Sequence, residues 1–180
     1  MADILDETHD EIKEAQGQVG TENKYLQEIE IFLTRVKQDP EQYGKNKSKI
    51  SHAINYAGRT EARAEREERK IAENLKKLAE EVPDTQKKKI LAVANEFSIT
   101  EKTLIDESSR YSGDIKDKLN KAGIQAQLMI TGKGNEASFN STMDEAIDAV
   151  HKAVVYTGTM LAVLQKCDVI IAELKAMLVG

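Results

Sequence analysis

A chain of 180 residues with two prolines, no tryptophan and 4% aromatics holds too little sheet-forming material for a β fold and suits helices packed on helices. The single cysteine, Cys167, excludes an internal disulfide, and no secretory signal is expected, because Met1 to Glu14 is acidic and lacks basic residues followed by an apolar run. The net charge of -5 is unevenly spread: residues 1–44 carry 4 Lys/Arg against 11 Asp/Glu, residues 45–89 carry 13 against 8, and the remainder 9 against 12. One domain over residues 1–180 is expected, resident in the cytoplasm or exported without a cleavable signal.

The first helix is expected over 3–37. Leu5, Ile12, Val19, Leu26 and Leu33 recur every seven residues, and Ala15, Ile29 and Val36 form a second row, which is the pattern of a coiled-coil seam. The helix stops before Asp39-Pro40, because the residue before a proline is pushed out of helical geometry. Asp39 and Gln42 then read as a capping pair, with Gly44 and the polar run from Lys45 to Lys49 as a connector.

A second helix over 48–82 has one seam row at Ile50, Ala57, Ala64, Ile71 and Leu78, and another at Ile54, Glu61, Glu68, Leu75 and Val82. Its positive charge against the negative first helix favours that pair as neighbours, although screened surface pairs add only about 0–1 kcal/mol each. Pro83 then turns the chain into a third helix over 85–130, antiparallel to the second, through Ile90, Phe97, Leu104, Tyr111, Ile115, Leu119, Ala122 and Ala126. A stutter near Leu119 together with Gly113 and Gly123 predicts a bend or partial break. Thr131 to Asn140 reads as a loop. Ser141 or Thr142 caps a fourth helix over 141–179, whose apolar character from Ala153 onward exceeds a single stripe.

The expected architecture is therefore all-α, an elongated antiparallel four-helix bundle with coiled-coil-like seams. Three tyrosines stand in Tyr-x-Gly triplets, which predicts a mid-bundle layer or hinge of Tyr25, Tyr56, Gly58, Tyr111, Gly113, Tyr156 and Gly158. Asp6 with His9, and Asp148 with His151, have the one-turn spacing of metal ligands, but the chain has only three histidines and the levels of the two pairs do not match. No metal and no cofactor is expected.

Arg59, Arg63, Arg66 and Lys70 make a basic stripe that is a candidate polyanion contact. Glutamates share the segment and no aromatic is seen to interleave the stripe, so nucleic acid is not the expected partner. Val155, Met160, Val163, Ile170 and Met177 widen the last helix into a candidate partner or membrane face; its uncharged run from Ala153 to Gln165 is too short to span a bilayer. No catalytic constellation and no small-molecule substrate is expected. The expected function is a structural or interaction module that docks a protein or its own copies; the alternatives are a membrane-active or switching bundle that exposes its C-terminal helix, and an accessory subunit associated with nucleic acid.

Overall fold

The computed structural model describes the backbone of residues 1–180 and all side chains except those of Glu101 and residues 104–112. The chain is all-helical, with α1 over Ala2–Gln38, α2 over Gln42–Glu81, α3 over Asp84–Ile130 and α4 over Glu136–Val179. No strand occurs among the described residues.

The connectors are shorter than their composition suggests, and in each case burial decides. Asp39 forms the expected cap: Oδ1 accepts from the Glu41 amide at 3.2 Å and Oδ2 from the Gln42 side chain at 3.1 Å. However, α2 begins at Gln42 rather than at Ser48, so Gly44 and Lys45 to Lys49 are helical rather than a connector. Tyr43 and Asn46 turn inward within this segment, and the buried Asn46 amide donates to the Gln42 carbonyl at 2.7 Å. Helix α4 likewise begins at Glu136, ahead of Ser141. Asn135 caps it by accepting from the Ser138 amide at 3.0 Å, and Phe139 is buried one turn later.

Helix α3 ends in a glycine-terminated cap. Gly132 adopts φ 72°, and the Gly132 and Lys133 amides bond back to the carbonyls of Met129 and Leu128 at 3.2 and 3.0 Å. Of the bend or partial break expected between Gly113 and Gly123, the break is not formed, and α3 is helical throughout. Ile115, Leu119, Ala122 and Ala126 are all buried there, and their burial outweighs the roughly 1 kcal/mol helix penalty of each glycine.

Two compact units are formed, each from pieces of all four helices. Unit 1 comprises Met1–Gly20, Thr60–Ile105 and Thr157–Gly180; unit 2 comprises Thr21–Arg59 and Asp106–Tyr156. In unit 1 the predicted seam residues Leu5, Ile12, Val19, Ile71, Leu75, Leu78, Ile90, Phe97, Leu164 and Ile171 are buried. Ion pairs fix the direction of its neighbours: the Met1 amino group meets Glu81 at 3.2 Å, Lys175 meets Asp6 at 2.7 Å and Lys13 meets Asp168 at 2.8 Å. Helix α1 thus runs antiparallel to both α2 and α4 in this unit. Lys166 with Glu96 and Lys89 with Glu173 give the same sense for α3 and α4.

Unit 2 has one continuous core to which Leu26, Ile29, Leu33, Ile50, Ala57, Ile115, Leu119, Phe139, Met143 and Val150 contribute. His151 lies 2.9 Å from Glu30, and Lys37 lies 2.5 Å from Asp144. Two predicted seam residues, Leu104 and Tyr111, have side chains outside the described residues. Leu178 is half exposed, since it lies in the last turn of α4.

Candidate functional site

The N-terminal half of α2 carries the most distinctive surface of unit 2. From Gln42 to Arg59 it has Lys45, Lys47, Lys49 and Arg59 and no carboxylate. Lys45, Lys49, His52, Tyr56 and Arg59 follow steps of four and three, so helical geometry aligns them on one face, and all five are exposed. Tyr25 of α1 joins this face from the side. Its ring centroid is 5.4 Å from that of Tyr56 and 6.5 Å from that of His52, nearly perpendicular to the latter. His52 and Tyr56 are 4.4 Å apart, and the Arg59 guanidinium sits 5.6 Å above the Tyr56 ring.

The Tyr25–Tyr56 part of the expected tyrosine layer is thus formed. Its glycines play no part: a methyl group added at Gly58, Gly113 or Gly158 would meet open space, so none of them serves a close approach. These three positions lie on outward or partly outward turns of their helices, where no neighbouring backbone comes near. Tyr156 is half-buried against the unit 2 core, and the Tyr111 side chain lies outside the described residues. The ring-on-glycine contact instead belongs to Tyr43 and Gly123. A Cβ at Gly123 would fall 2.8 Å from Tyr43 Cε1, and the Tyr43 hydroxyl donates to the Leu119 carbonyl over a long 3.5 Å. Burial raises the Tyr43 phenol above its ordinary value near 10.

In unit 1 the remaining positions of the basic stripe, Arg63, Arg66 and Lys70, are also exposed. Lys70 is drawn into pairs there, with Glu67 at 3.5 Å and Glu11 at 4.0 Å. Glu11 is buried beneath it and accepts from the Asn74 side chain at 3.1 Å. Burial is the main reason its carboxyl is raised from 4.5 to about 6, helped by the charges of Glu7 and Glu67 and opposed by Lys70 and Asn74.

The two histidines with metal-ligand spacing find ordinary partners. His9 lies 3.2 Å from Asp168, which also takes Lys13, and His151 faces Glu30. Lys175 holds Asp6 below its usual carboxylate range. No group of three or more His, Cys, Asp or Glu is gathered in metal-binding geometry among the described residues. Cys167 is fully buried, and desolvation followed by the charge of Glu96 pushes its thiol up to about 12, far from a reactive thiolate.

The candidate partner face of α4 divides. Met160 and Val163 are buried in unit 1 and belong to its core, because their positions face the Leu164–Ile171 stripe rather than the outside. Ile170 is half-buried, whereas Val155, Val169 and Met177 are about half exposed. Helix α4 contains an 18-residue stretch of mean hydropathy 1.4, long and apolar enough to cross a membrane although the uncharged run alone is not, and only 39% of that stretch is buried. Within unit 1 the outward face is built from small residues, Gly158, Ala162, Val169, Ala172 and Ala176, with Lys166 and Glu173 among them.

Lys45, Lys49 and His52 were not singled out as binding residues from sequence. The signal was present: extending the Arg59 and Arg63 spacing back by steps of three and four reaches Tyr56, His52, Lys49 and Lys45. Reading Lys45 to Lys49 as a connector concealed it. Comparison with known protein families, curated proteins and solved structures finds no match for this chain.

Proposed function

We propose that the protein is a non-enzymatic helical module, an antiparallel four-helix bundle with coiled-coil-like seams, that associates with a second copy of itself through the outward face of α4 in unit 1. The observation that carries this reading is that the most apolar helix of the chain leaves Val169, Met177 and Leu178 about half exposed in unit 1. Small residues at Gly158, Ala162, Ala172 and Ala176 allow another helix to approach closely.

The charges on this face suit a self-complementary contact. In an antiparallel pair centred at Val169 and Ile170, Lys166 of each copy opposes Glu173 of the other, so that these charges, already paired within the chain to Glu96 and Lys89, are shared across the contact. The composition supports a protein partner over a lipid surface. Interfacial helices insert Trp, Phe or Leu, whereas this face offers methyl groups and the chain has no tryptophan.

Light scattering on the eluted protein tests the proposal. A dimer is expected at tens of micromolar concentration, and Val169→Lys, at a position 48% exposed and therefore without core cost, is expected to elute as a monomer. A wild-type chain that stays monomeric at several hundred micromolar would overturn the proposal, and flotation with neutral vesicles would favour the membrane reading instead.

A further inference from the structure

We infer that the face of α2 formed by Lys45, Lys49, His52, Tyr56 and Arg59, together with Tyr25, binds single-stranded nucleic acid. The inference stands apart from self-association, since it uses a different helix face in unit 2. Three observations converge on this ligand.

The first is charge. Over Gln42–Arg59 the helix presents cations without a single carboxylate, in a chain whose total charge is negative, and Lys45, Lys49 and Arg59 enter no ion pair among the described residues. Cations left unneutralised along one helix are available to phosphates.

The second is the interleaving of rings with these cations. Arg59, Tyr56 and His52 follow one another as a column along the face, the His52 and Tyr56 rings tilted by 47°, with Tyr25 beside it, and both ends of the column, His52 and Arg59, are exposed. A hydrophobic protein partner gains little from such a column, because its flanks are lysines. A nucleobase gains a stacking face at the height where the neighbouring lysines reach the backbone.

The third is spacing. Steps of three and four residues at about 1.5 Å per residue put successive groups about 4.5–6 Å apart along the helix, with Lys45 and Lys49 about 6 Å apart and Arg59 about 15 Å beyond Lys49, so that a strand lying along this face meets cations on both sides of the rings. Duplex DNA offers its bases only at groove edges, where a convex helix face bearing flat rings has nothing to stack on. Of the α1 carboxylates within one turn of Tyr25, Glu22 is buried and Glu28 is half-buried.

Fluorescence anisotropy with a labelled ten-nucleotide oligothymidylate and a duplex of equal length tests this at 50 and 200 mM salt. The single strand is expected to bind more tightly than the duplex and to weaken roughly 15-fold across that salt range, as three phosphate contacts would require. Tyr56→Ala is expected to lower affinity at least about fivefold while Tyr56→Phe retains it, with unchanged helicity by circular dichroism showing that both variants fold. Binding equal for the two forms, binding unaffected by Tyr56→Ala, binding abolished only by Arg63→Ala with Arg66→Ala, or no binding at 50 mM salt would each overturn the inference.

Discussion

Glu11 shows how one position can carry a pH response for its surroundings. Its carboxyl is enclosed by α1 and α2 in unit 1, touched by Asn74, faced by Lys70 and crowded by Glu7 and Glu67. Because the folded value, about 6, lies above the ordinary value of 4.5, the folded state favours the protonated form. The associated stabilisation is complete below about pH 4.5 and is lost as pH rises through 6; the difference amounts to about 1–2 kcal/mol. Glu11→Gln keeps an acceptor for Asn74 and removes the charge. Its urea midpoint should therefore exceed that of the wild type at pH 8 and match it near pH 4, and a lower midpoint at pH 8 would contradict the account.

At the level of elements, the contact between α2 and α3 in unit 2 depends on the absence of one methyl group. Gly123 costs α3 about 1 kcal/mol relative to alanine in helix propensity, so Gly123→Ala would stabilise the helix if the site were open. The Tyr43 ring occupies the space instead. A net loss of about 1–3 kcal/mol is expected for Gly123→Ala, and a much smaller loss when the same change is made in a Tyr43→Ala background. Urea denaturation of the four proteins in this cycle measures the coupling directly.

The helix ends were only partly legible for related reasons. Asp39 has a strong local signature and forms the cap it suggests. Ser141 has an equally good signature and is bypassed, because burying Phe139 draws the helix start back to Asn135. A capping motif supplies about 1 kcal/mol, whereas a buried aromatic ring supplies more, and the larger contribution sets the boundary.

For the molecule as a whole, the two units each rely on buried aliphatic side chains, with polar contacts confined mainly to their surfaces. Met143 in unit 2 is fully buried among Leu26, Phe139 and Ala146 in the same core. Met143→Ala should cost about 2–5 kcal/mol by thermal or urea unfolding, whereas removing the exposed Lys152–Asp148 pair should cost less than about 1 kcal/mol. Comparable effects from the two changes would mean that surface charge, and not apolar burial, holds unit 2.

What the sequence determined by itself was the helical class and the inward face of the first two helices, from Leu5 to Val36 in α1 and from Ile50 to Leu78 in α2. A seven-residue repeat of large aliphatics has only one low-energy use in water, which is to bury that stripe. Only the tertiary structure decided most of the rings and charges that meet across helices: Tyr25 with His52, Tyr43 with Gly123, and Asp168 with His9 and Lys13. Periodicity gives the face on which a side chain lies. The neighbour it meets depends on how far each helix slides and turns against the next, and that adjustment is settled by the packing of the whole core at once.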